Sequence, residues 1–126
     1  MESKVPYEYI LELLKARVAP ADRPYEEGIL TVDGLTEPFI VERSWSGPAG
    51  YYLEQWSIRR SGSEIIYSGD VKSISIRGLQ SISTFTDRVD TPIPLEAGTY
   101  QLAFVVEGRF MGFTEIRVSS KETVAA

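Results

Sequence analysis

A chain of 126 residues with 43% apolar and 25% charged residues reads as one globular domain, large enough to bury a core without staples. It contains no His and no Cys, which excludes the common zinc sites, thiol nucleophiles and imidazole acid–base chemistry. A net charge of −5 with no basic stripe argues against nucleic acid as the main partner, and no apolar run approaches the roughly 18 residues of a membrane span.

In chain order, the first expected element is a helix. Tyr7, Ile10, Leu11, Leu14 and Val18 recur at helical spacing over Pro6–Val18. Pro6 suits a first turn, Ser3 a cap, and Pro20 a stop. Residues 1–24 therefore read as an amphipathic helix and linker. Acidic and basic residues interrupt the apolar part, so it is not a secretory leader. With no Cys either, the expected location is the cytoplasm.

From Gly28 onward the pattern changes to short strands separated by turns. They are expected at Ile29–Val32, Phe39–Trp45, Tyr51–Arg60, Glu64–Tyr67, Val71–Arg77, Gln80–Val89, Thr99–Glu107 and Thr114–Ser119. The sixth is the weakest. In the seventh, Tyr100, Leu102, Phe104 and Val106 share one face and Gln101, Ala103, Val105 and Glu107 the other. Seven or eight strands with turns about every ten residues describe an antiparallel sandwich over residues 25–119, followed by a flexible tail at 120–126. Asn is absent and Gln and Met are scarce, which fits a hot environment or a GC-rich genome (Arg outnumbers Lys nine to four), and the two remain open.

The segment Leu95-Glu-Ala-Gly98-Thr-Tyr100 has the layout of a tyrosine corner, and Trp56 falls where such folds place a core Trp. On these residues the chain resembles immunoglobulin-like sandwich domains across residues 28–119, without their paired Cys. Gly98–Arg117 also resembles the end of a GOLD domain, a related sandwich used in protein contacts. The resemblance implies a binding or scaffolding role, and it gives Leu95, Gly98, Tyr100 and Trp56 structural roles. Asp70-Val-Lys-Ser-Ile-Ser75-Ile-Arg-Gly78 resembles the second motif of PilZ cyclic-dinucleotide binders through its Ser75 and Gly78 spacing. It departs from that motif at Ser73, and Arg59 and Arg60 are adjacent rather than spaced, so no bidentate phosphate clamp forms.

Neither a Walker A loop nor G-x-G-x-x-G occurs, and no cofactor or metal is expected. The carboxylate pairs Asp87/Asp90 and Glu26/Glu27 read as solvated loop acids, so no catalytic residue is assigned. Aromatic residues carry the functional expectation. Trp45, Tyr51 and Tyr52 bracket one loop; Phe110, Met111 and Phe113 bracket Gly112 in the last hairpin. If the two clusters meet, they form an apolar patch rimmed by Arg43, Arg59 and Arg109, of the composition enriched in binding hot spots. The expected function is a non-enzymatic protein-interaction or structural module, a small subunit of a larger assembly, binding a protein or itself. Its binding candidates are Phe110, Met111, Phe113, Trp45, Tyr51 and Arg109. The alternative is a carbohydrate-binding module, with Trp45, Tyr51 and Trp56 as a stacking platform and Glu54 and Gln55 beside it, and the remote alternative is a PilZ-like cyclic-dinucleotide binder.

Overall fold

The computed structural model describes residues 11–61, 64–78 and 81–121. It is mainly β, with ten strands: β1 (Glu12–Pro20), β2 (Ile29–Val32), β3 (Leu35–Thr36), β4 (Phe39–Ser46), β5 (Gly50–Arg59), β6 (Ile65–Ser68), β7 (Lys72–Ile76), β8 (Ser83–Val89), β9 (Gly98–Val106) and β10 (Arg109–Ser120). A smaller sheet runs β1-β4-β8. A larger one runs β3-β2-β10-β9-β5-β6, with β7 also on β5. All pairings are antiparallel except β2 with β10, which is parallel. No helix among the described residues is long and apolar enough to cross a membrane.

The expected helix is corrected where the structure describes it: residues 12–20 are a strand paired with β4, not part of a helix. Ser3 and Pro6 lie outside the described residues. The register explains the misleading spacing. The β1–β4 ladder shifts between Leu13 and Lys15, so Leu14 is an extra, exposed residue. Leu11 and Leu13 face the core before this bulge, and Ala16 and Val18 after it. One inserted residue turns a period of two into apolar residues three and four apart, which mimics a helix. Pairing along the whole strand then outweighs intrinsic propensity.

Both sheets turn one face inward. On β4 the inward residues are Phe39, Val41, Arg43 and Trp45; on β5 they are Glu54, Trp56 and Ile58; on β9 they are Tyr100, Leu102, Phe104 and Val106. Trp45 meets Phe104 edge to face, with ring centroids 5.9 Å apart, joining the sheets at their centre. Tyr100 Oη donates to the Glu96 carbonyl at 2.7 Å, the backward fold expected of a tyrosine corner. Leu95 is buried beside it. Gly98, at φ 153°, takes the backbone through a turn that a side chain would strain.

The hairpin from β9 to β10 turns on Glu107 and Gly108, at φ 51° and 75°. A two-residue turn with both φ positive matches the twist of the flanking strands. Glu107 also ties the tip to β5: its N–H donates to the Leu53 carbonyl at 2.8 Å, and its carboxylate accepts from the Leu53 N–H at 2.7 Å.

Candidate functional site

Two constellations stand out, one between the sheets and one on the outer face of the larger sheet. The inner one is ionic. Arg43 and Glu54 are each 1% exposed. Arg43 Nε donates to Glu54 Oε2 at 2.9 Å and Nη2 pairs with Oε1, making a bidentate bridge from β4 to β5. Arg43 Nη1 lies 3.1 Å from Asp87 Oδ1 on β8, and Lys72 Nζ of β7 reaches the same oxygen at 3.1 Å. Both tryptophans complete the set: Trp45 Nε1 donates to Glu54 Oε2 and Trp56 Nε1 to Asp87 Oδ2, each at 2.8 Å. The guanidinium also stands over the Phe85 ring, 5.8 Å from its centroid.

Burial alone would push the Asp87 carboxyl up. The Trp56 hydrogen bond and the charges of Arg43 and Lys72 outweigh it and hold Asp87 below the ordinary carboxylate range. Burial likewise works against the Arg43 charge, yet Glu54 and Asp87 raise its pKa above the usual value. This cluster is a satisfied, structural network. Its sequence signal was opposite charges at inward-facing positions of neighbouring strands: Arg43 between Val41 and Trp45, Glu54 before Trp56, and Asp87 between Phe85 and Val89.

The outer constellation is apolar. Inward Trp56 and Ile58 put Tyr51, Leu53, Gln55, Ser57 and Arg59 outward along β5. Phe110 pairs with Val105, which pairs with Gln55; Phe113 pairs with Ala103, which pairs with Ser57. A bulge between Phe110 and Gly112 puts both phenylalanines on this face, although they stand three positions apart. Met111 turns the other way and packs on the core. Tyr51 is 80% exposed, Leu53 53%, Phe110 54% and Phe113 53%. The Arg59 guanidinium stands over the Phe110 ring at 5.9 Å, with its Nε donating to Ser57 Oγ at 3.0 Å. Arg109 is exposed at the hairpin end.

The expected patch is thus half assembled. Tyr51, Phe110, Phe113 and Arg59 share one face. Trp45 and Arg43 do not: both are buried between the sheets and offer no surface to a partner, because β4 alternation points them inward. Met111 is likewise drawn inward by the bulge. Trp56 is buried too, so the stacking platform of Trp45, Tyr51 and Trp56 keeps one exposed ring, Tyr51. Tyr52 is half-buried, with Oη donating to the Pro48 carbonyl at 2.8 Å.

The acid pairs are pulled apart. Asp87 enters the core network, while Asp90 pairs with Arg88 at the surface, 2.7 Å from its Nε. Glu26 faces Arg23 at 3.7 Å, while Glu27 borders a groove between β1 and β10. Ser75 is exposed on β7, Gly78 follows that strand, and Arg59 is committed to Ser57 and Phe110 on the opposite side of β5 from Asp87.

No family model and no curated protein matches this chain. Solved structures share its fold. The chain is similar to part of the Pseudomonas fluorescens alkylpurine DNA glycosylase AlkC bound to DNA containing an abasic site analog, with a TM-score of 0.58 and 14% identity, covering 86% of this chain and 30% of that one. It is also similar to part of a Listeria innocua β-glucosidase in complex with isofagomine, with a TM-score of 0.53 and 14% identity, covering 87% of this chain and 16% of that one. The same enzyme in complex with glucose gives 0.53 at 12% identity over the same shares. At such identities the likeness is one of fold, and this chain spans under a third of those proteins.

Proposed function

We propose that the chain is a non-enzymatic, immunoglobulin-like β-sandwich whose outer larger-sheet face binds another protein. One observation carries the reading: four large apolar side chains, Tyr51, Leu53, Phe110 and Phe113, stand exposed on one sheet face with an arginine stacked among them. A sheet face in a lone sandwich ordinarily alternates to polar residues on its solvent side. Aromatic and Arg residues grouped this way are the anchors of protein interfaces. The immunoglobulin-like assignment draws support from the Tyr100 corner and the core Trp56. Matches to a fraction of two larger proteins support a module that serves within, or beside, a bigger assembly.

The test places a photo-crosslinking side chain at Tyr51, and in a second protein at Thr86, an exposed residue on the smaller sheet. In cell extract, Tyr51 should yield a discrete protein adduct that the Phe110→Ser/Phe113→Ser background abolishes, while Thr86 should not. Equal adducts from both faces, or adducts untouched by the double substitution, would overturn the assignment. Melting curves of the double variant should stay close to the parent, because both rings are already about half in solvent.

A further inference from the structure

The two edges of β10 are unequal. On one side β9 pairs with it from Arg109 to Val118. On the other, β2 pairs with only Val118, Ser119 and Ser120. Among the described residues, no strand pairs with Arg109–Arg117 on that second side. The cause is Gly28. At φ 104° it swings the chain away, and its N–H goes to the Val18 carbonyl on β1 at 3.0 Å. The space between β1 and this side of β10, beyond the start of β2, is an opening that no strand pairs across among the described residues.

The peptide groups facing that opening can be identified. Lys121 N–H donates to the Thr31 carbonyl at 2.8 Å, and Thr31 Oγ1 reaches the Ser119 carbonyl at 3.5 Å. Residues 119 and 121 therefore turn towards β2. Alternation along a strand puts the peptide groups of Phe113, Glu115 and Arg117 on the same edge. The Arg117 carbonyl turns to this same edge but lies against the start of β2, 3.1 Å from where a Cβ on Gly28 would stand. Beside this edge lies a groove of about 420 Å³, bordered by Arg17, Val18, Glu27, Thr114, Glu115 and Arg117.

We propose that this edge of β10 takes an extended peptide strand from a partner, with an apolar side chain opposite Phe113 and a basic one opposite Glu115. Donors and acceptors repeating every second residue match an extended polypeptide and little else. The rings of Phe113 and Phe110 flank the open edge on the outer face, so an added strand gains a cross-strand aromatic neighbour. The charge preference follows from what is already committed. Arg17 is held by Glu42 at 2.9 Å and by the Pro24 and Glu26 carbonyls. That leaves Glu27 and Glu115 to favour a Lys or Arg, and Arg117 to favour an acid two residues away. The inference rests on the outer face being a binding surface, since Phe113 belongs to both.

The probe is an acetylated, amidated peptide Ser-Glu-Thr-Lys-Thr-Val-Ser, which places Glu, Lys and Val opposite Arg117, Glu115 and Phe113 in antiparallel register. Adding it to the full chain should slow amide exchange at Phe113, Glu115 and Arg117 by about tenfold and leave Thr114 and Ile116, already bonded to β9, unchanged. Glu115→Pro removes one edge donor without breaking the β9 ladder and should lose this protection. Glu115→Lys should transfer the preference to a peptide with Glu in place of Lys. A peptide N-methylated on the amides facing β10 should not bind, which keeps the test independent of whether the Pro variant folds. No protection from either peptide overturns the proposal. Protection of the same amides with a doubled molar mass and no peptide assigns the edge to a second copy, and also overturns it. If Phe110→Ser/Phe113→Ser loses the crosslinked partner while Glu115→Pro keeps it, the binding face stands and strand addition falls.

Discussion

Arg43→Met tests the network between the sheets. The substitution keeps an unbranched apolar stem of similar reach, so the cavity term is small. It leaves Glu54, 1% exposed, with no counter-charge, and removes one of the two cations on Asp87. Stranding a buried charge by deleting its partner costs about 3–5 kcal/mol. A domain of this size is held by about 5–15 kcal/mol in total, so the variant should sit near the edge of folding. In thermal melts the loss should appear as a drop of roughly 10–20 °C. The control is Arg88→Met. Its pair with Asp90 is 2.7 Å long, yet both side chains are more than half in solvent. An exposed pair of that kind contributes about 1 kcal/mol or less. Urea unfolding of both variants reads the difference directly. Adding Glu54→Met to Arg43→Met should recover part of the loss, because the stranded carboxylate is then gone. If Arg43→Met costs no more than Arg88→Met, the reasoning that burial sets the magnitude fails.

Acidification should act through Asp87. Its folded pKa lies below its unfolded value of about 3.9, so its contribution is present above that pH and disappears as pH falls through the folded pKa. Urea stability measured from pH 6 downward should therefore fall off on the acid side, and Asp87→Asn should flatten that limb; parallel limbs in the two proteins would count against it. Tyr100→Phe removes the bond to the Glu96 carbonyl and should cost about 0.5–1.5 kcal/mol with the fold retained, read from the urea midpoint. No change at all would mean that the corner holds without its hydroxyl.

Much of the strand layout was legible because the strands alternate. Phe39–Trp45, Tyr51–Arg60 and Thr99–Glu107 each carry a period of two long enough to survive irregular ends, and the structure places strands on all three. Bulges hid the rest. One extra residue at Leu14 made a strand read as a helix, and a second near Met111 decided which hairpin side chains reach solvent. Neither is visible in a one-dimensional pattern, since a bulge is set by the partner strand. The two-residue β3 is too short to carry a period. The aromatic site was half legible for a related reason. Composition marked Trp45 and Phe110 alike as binding residues, and only register separates a ring in the core from one on the outer face. Arg43 was read as a rim residue of the patch that the two aromatic clusters would form. Its inward parity between Val41 and Trp45 was the better guide.

The ion network touches β4, β5, β7 and β8, so it spans both sheets, and Arg43, Glu54 and Asp87 occupy inward slots. A slip of β4 by one residue reverses every side chain on that strand. In an all-apolar core such a slip loses packing that neighbouring hydrophobes partly restore. Here it would swing Arg43 into water and abandon Glu54 between two sheets, a defect that no repacking repairs. The cluster thus works as a proofreading element for strand alignment: it penalises the wrong register more than it rewards the right one.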